Sequence, residues 1–217
     1  MQDIIDIRTL LIFAAIIITV GLEYLGVRIT SKLTRVKIIT LAIVLIVVYG
    51  ALIMSHVDNI WVSNASIIVV SVGVASVLGT LLSHEVSIIS FLFVSSITDI
   101  FSFFRGITAS INAHYLSGGS SALRYLAITL SINGTIQWIV GIGDIVIIGT
   151  AAFALRRLNY SDGESFLVPL SGLLAGVVFA LVVNRGIPAI PFIAASVILY
   201  IVYKKRNTRS NQQIVSL

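Results

Sequence analysis

The chain has 217 residues, of which 58% are hydrophobic and only 11% charged, with a formal net charge of +5. Soluble domains run at about 45–50% apolar and about 25% charged, so this composition excludes an ordinary soluble globular protein, a disordered chain and a nucleic-acid-binding domain. A mean hydropathy of +1.08 points instead to an all-α polytopic protein of the lipid bilayer, because the strands of a membrane β-barrel alternate in polarity and leave no long apolar runs.

There is no cysteine, which excludes disulfides, thiolate metal sites and a thiol nucleophile. His56, His84 and His114 are scattered and no HExxH string occurs, so neither a metal nor a cofactor is expected.

In chain order, seven apolar segments are expected as spans, at 9–27, 37–55, 65–83, 86–104, 136–155, 165–184 and 187–203, each near the roughly 20 residues that cross a bilayer. They form one transmembrane domain over 1–217, with N-terminal helices in 1–83 and the chemistry-bearing helices in 84–217. The first segment follows Asp3 and Asp6 rather than a cationic stretch, so it reads as a retained span and not a signal peptide. Glu23 reads as an interfacial residue at the end of that span, and Tyr24 and Trp61 as interface anchors.

Arg28, Lys32, Arg35 and Lys37 occupy the first loop, Arg156 and Arg157 the fifth, and Lys204, Lys205, Arg206 and Arg209 the tail. With seven spans these regions share one face, leaving Arg8, Arg105, Arg124 and Arg185 for the other. The bias places the N-terminus outside and the C-terminus in the cytoplasm. The long loop, 105–135, then lies outside. It holds the turn-prone Ser117-Gly-Gly-Ser-Ser121. Residues 125–131 after it are too short to span and read as a strand or an interfacial segment.

Two acidic residues fall inside apolar segments. Asp99 lies in Ser-Ile-Thr-Asp-Ile-Phe-Ser of the fourth, and Asp144 in Gly141-Ile-Gly143-Asp144 of the fifth. An ionisable group at that depth costs about 2.5–3.5 kcal/mol on insertion scales and normally faces a cavity or a partner. At 1.5 Å per residue the two lie about 8 Å and 12 Å below the same surface, and no cation stands in the nearby apolar runs. Two close carboxylates without a cation share a proton. The ionised one can then activate water while the protonated one donates to a carbonyl oxygen, as in aspartic proteases. A lone acid at depth could equally cap a broken helix, line an ion path or bond a neighbouring helix. Gly141 and Gly143 alone could be close-packing residues.

The last span opens with Arg185-Gly-Ile-Pro188-Ala189-Ile190-Pro191. Proline in a first helical turn is common, but two prolines also pre-shape a partly unwound entrance with unpaired backbone groups.

Taken in order, Asp99, the Gly141–Asp144 GxGD string and the Pro188-Ala189-Ile190 entrance resemble the presenilin and signal peptide peptidase family of intramembrane aspartyl proteases. The resemblance covers roughly Val86 to Tyr203. It implies Asp99 and Asp144 as the catalytic pair. It also implies that Gly141, Gly143, Pro188, Ala189 and Ile190 lie against the substrate, a transmembrane or signal-peptide-like helix. It further implies that a strand before the GxGD span pairs with unfolded substrate. The chain departs from the family pattern at Thr98, where the family has Tyr, and at Ile190, where it has Leu. Seven spans replace nine, which implies that two N-terminal spans are absent.

Three other readings compete. A proton- or cation-coupled transporter or channel could use the same two aspartates, although the sequence carries no repeat and no further polar path through the inner half. A prepilin-peptidase-like enzyme also has GxGD, but lacks the proline entrance. A serine protease of Ser120 or Ser121 with His114 would lack a buried orienting carboxylate.

Overall fold

The computed structural model describes residues 7–55, 59–106, 125–132, 135–183 and 187–215. Seven helices and one hairpin make up these parts. They are α1 (Ile7–Thr30), α2 (Arg35–Met54), α3 (Ile60–Leu81), α4 (Glu85–Arg105), β1 (Ala127–Ile132), β2 (Thr135–Gly141), α5 (Ile142–Arg157), α6 (Asp162–Val183) and α7 (Ile190–Val215). Five of them, α1 to α4 and α6, are long and apolar enough to cross a membrane. α5 has 16 residues, about 24 Å at 1.5 Å per residue, and α7 joins an apolar first half to a charged end.

Two expectations need correction. The chain is mostly helical but not all-α, because Ala127–Ile132 and Thr135–Gly141 pair as antiparallel strands. The expected fifth segment, 136–155, is therefore part strand and part helix. Its start, Ile-Gln-Trp-Ile-Val, is β-branched and aromatic and fits a pleated surface, while the two glycines at 141 and 143 mark the change to helix. Ser117–Ser121 and His114 lie outside the described residues.

α3 and α5 form the centre. α3 packs against α1, α2, α5 and β1, and its buried face is made of small residues: Ser71, Gly73, Ala75, Ser76 and Gly79. Small residues let helices approach where lipid gives no hydrophobic drive for association. α5 is buried on nearly all sides from Ile145 to Leu155, as an apolar helix inside a bundle should be. α4 lies along α7, and α7 along α6. The outward sides of α2 and α4 carry exposed Ile, Val and Phe such as Val47, Phe93 and Phe101.

α5 ends in a Schellman motif. Asn159 takes a positive φ of 63°, the Asn159 N–H bonds the Arg156 carbonyl at 3.0 Å, and the Tyr160 N–H bonds that of Leu155 at 3.1 Å. At this end the basic residues gather acids around them. Arg28 pairs with Asp162 at 3.0 Å and Arg156 pairs with the same carboxylate. Lys204 bonds Glu164 at 2.8 Å. Arg28, Arg156 and Lys204 thus meet at one end of the bundle.

Tyr160, turned inward by the Schellman motif, donates to Glu85 at 2.8 Å. Burial first, and the Glu85 carboxylate second, push its phenol above the ordinary tyrosine range. The folded state favours the neutral phenol. The stabilisation is therefore complete below about pH 10, the unfolded value, and is lost as pH rises beyond it. Tyr160→Phe is expected to flatten the alkaline fall in Tm between about pH 9 and 11. Identical Tm–pH curves for the two proteins would contradict this.

Candidate active site

The site is built where α4, α5 and α7 meet, toward the end of the bundle opposite the basic cluster. Asp99 lies six residues before the end of α4 and is half-buried. Asp144 is the third residue of α5, also half-buried. It is thus nearer its helix terminus than a span from 136 implies, because β2 takes up the preceding six residues.

The turn into α5 explains how Asp144 is held. The Gly141 N–H is one of the donors that a helix start leaves without an intrahelical partner. It donates to Asp144 Oδ2 at 3.3 Å, as the third residue does in a capping box. A Cβ on Gly141 would stand 3.2 Å from the same oxygen, whereas nothing lies within 4 Å of one on Gly143. Gly143 is exposed, so it packs against no helix and leaves open space beside Asp144.

Asp99 is held by the proline entrance. Ala189 accepts the first bonds of α7 through its carbonyl, from Phe192 and Ile193. The Ile190 N–H is then an orphan donor of the first turn. It points at Asp99 Oδ2, 3.2 Å away and 91 positions distant in sequence. Ile190 is buried, and Pro188 and Ala189 are half-buried beside it. α4, which carries Asp99, also touches α5, which carries Asp144 in its first turn. The fold therefore brings the two aspartates and the proline entrance to one place. Thr98 is exposed, its hydroxyl bonded to the Val94 carbonyl within its own helix.

β2 runs directly into Gly141, and the ladder with β1 continues to it, with Ala127 opposite Gly141 and Ile128 opposite Val140. One residue missed by the sequence reading fixes this hairpin. Asn64, on α3, donates from Nδ2 to the Thr129 carbonyl at 2.7 Å and accepts from the Thr129 N–H at 3.0 Å. The side-chain amide acts as one more residue of a neighbouring strand. Tyr49 of α2 donates to the Tyr125 carbonyl just before β1. A signal existed, since Asn64 is an amide within an apolar helix, but as an Asn-x-Ser string it resembles many surface sites.

Asn64→Leu keeps the volume and leaves the buried Thr129 N–H and carbonyl without their partner, at about 1–3 kcal/mol each. The expected result is a lower Tm and faster hydrogen exchange at the Thr129 amide, with Asn64→Asp intermediate. Unchanged exchange at Thr129 in Asn64→Leu would contradict the clamp.

Glu23 is a further correction to the sequence reading. It is not interfacial but fully buried, where α1 meets α3 and α5.

Comparison of the chain with known protein families, with curated proteins and with solved structures finds no match.

Proposed function

We propose that the chain is an intramembrane aspartyl endopeptidase of the presenilin and signal peptide peptidase type, with Asp99 and Asp144 as the catalytic pair. The observation that carries this reading is the bond from the Ile190 N–H to Asp99, beside the contact of α4 with α5. Three motifs far apart in sequence lie on helices that meet at one junction. Among the described residues no group of three or more His, Cys, Asp or Glu gathers in metal-holding fashion.

The chemistry follows from a pair that shares one proton. The ionised aspartate takes a proton from water as the water oxygen attacks the scissile carbonyl carbon. The protonated aspartate gives its proton to the carbonyl oxygen, and a gem-diol forms. The diol then returns a proton to one carboxylate, the C–N bond breaks, and the amine leaves with a proton from the other. Each carboxyl ends ready for the next turnover. An extended peptide is required, because a helix hides its peptide bonds. In this reading a segment of substrate adds beside β2, the strand that leads to Gly141. The open space at Gly143 admits its backbone, and Pro188, Ala189 and Ile190 flank it. The seven helices are taken as seven spans, with the N-terminus outside and the C-terminus in the cytoplasm.

The test is incubation of the purified, lipid-reconstituted protein with labelled single-span peptides across a range of pH. Cleavage inside the apolar stretch is expected, with activity falling at both acid and alkaline pH because one proton must be present and only one. Cleavage with a flat pH profile would contradict the pair.

One observation favours a second reading, cation movement through the bundle. Against expectation, buried polar side chains do occur beyond the aspartates. They include Glu23, Ser71 and Thr150. Transport would require ion flux in vesicles that Asp99→Asn and Asp144→Asn both stop.

A further inference from the structure

Glu23 poses a charge problem that the proteolytic reading does not touch. It is fully buried, and neither carboxyl oxygen has a hydrogen-bond partner. Oε1 stands against Gly149 of α5, where an added Cβ would collide with it and would stand 2.8 Å from the Ala75 Cβ of α3. The glycine therefore makes the room that the carboxyl fills. Two further buried hydroxyls without partners lie close by along the same two helices. Ser71 precedes Ala75 by one turn on α3, and Thr150 follows Gly149 on α5. Position 149 lies about 140° around α5 from Asp144 at 3.6 residues per turn, so this cluster is separate from the aspartate pair.

The surroundings supply no counter-charge. α3 has no charged residue along its length, and neither does β2. On α5, Asp144 lies toward the other side of the helix. Arg156, about two turns further along the Gly149 face, is already paired with Asp162. On α1, Arg28 pairs with the same Asp162, and the Tyr24 hydroxyl donates to the Asp162 carbonyl at 3.0 Å. Glu164 of α6 is taken by Lys204. A bare carboxylate in such a place is strongly unfavourable. One positive charge, and not two, must therefore accompany the single carboxylate.

We propose that Glu23, with the hydroxyls of Ser71 and Thr150, is a binding site for one monovalent cation, a proton or a sodium ion, between α1, α3 and α5. The ligand set is oxygen alone, which suits either and gives no purchase to a softer metal. Loss of the occupant leaves a bare charge at the contact between α1 and α5. Occupancy thereby controls how firmly α1 holds the helix that carries Asp144. The site stands independently of whether the chain cleaves peptides.

Infrared difference spectra of lipid-reconstituted wild type minus Glu23→Gln, at neutral pH, with sodium or with potassium at equal ionic strength, decide it. A protonated-carboxyl stretch that Glu23→Gln removes and sodium leaves unchanged identifies the proton. A carboxylate band that sodium shifts and potassium does not identifies sodium. In that case Tm also rises with sodium in the wild type but not in Glu23→Gln. A Glu23 carboxylate that is ionised and insensitive to sodium overturns the proposal. Ser71→Ala and Thr150→Val are expected to move the Glu23 band without removing it. A band unmoved by both overturns the three-group site, because the hydroxyls then touch nothing bound there.

Discussion

Asp144→Asn, and equally Asp99→Asn, is expected to lower the rate of peptide cleavage by about 10²–10⁴-fold, the range that acid–base groups contribute. Asparagine keeps the shape and an amide oxygen, so the Gly141 N–H at 144 and the Ile190 N–H at 99 retain an acceptor. Folding should therefore be spared, and Tm should stay close to that of the wild type. What is lost is the group that moves a proton. If the two carboxyls act as one unit, as proposed, the double variant should be no slower than either single one. Losses that multiply would mean two independent roles. Cleavage that survives either substitution would place the chemistry elsewhere.

The second large effect is on folding. A Cβ added at Gly79 would stand 2.8 Å from the Phe153 Cβ and 2.6 Å from its ring. Phe153 is buried in the C-terminal half of α5, a helix enclosed on nearly all sides, and has no lipid-facing direction in which to turn. Gly79→Val is therefore expected to destabilise by at least the roughly 1–3 kcal/mol of an overpacked core, and to lose activity by displacing α5 and with it Asp144. Combining it with Phe153→Ala should restore part of both, with a coupling of about 0.5–3 kcal/mol. Thermal unfolding of the four proteins measures this. Strictly additive effects would contradict a direct contact between these positions.

The helical body was legible because apolar runs of nearly 20 residues have few other uses. Each of the seven expected segments contains a helix. The basic residues were legible for a related reason, since Arg28, Arg156 and Lys204 stand at or just beyond the ends of the expected apolar segments and do meet acids at one end of the bundle. The start of α5 was misplaced because Thr135–Val140 is as apolar as a span, and only its pairing with Ala127–Ile132 makes it a strand. Asn64 was missed and Glu23 misread for one shared reason. Each is a polar residue whose meaning depends on what lies opposite, Thr129 in one case and Gly149 in the other, and spacing along the chain does not show an opposite face. For the aspartates, sequence order matched a family pattern. The bond from Ile190 to Asp99 is a tertiary contact that no local pattern contains.

The central claim is that Asp99 and Asp144 flank a tetrahedral centre formed from a peptide bond. The direct measurement is the affinity of a single-span peptide whose scissile amide is replaced by a hydroxyl-bearing isostere, compared with the same peptide carrying the amide. A site complementary to the gem-diol binds the isostere at least about 10²-fold more tightly, and Asp99→Asn or Asp144→Asn removes that advantage. Equal affinity for the two peptides, or an advantage that persists in both variants, would contradict the account.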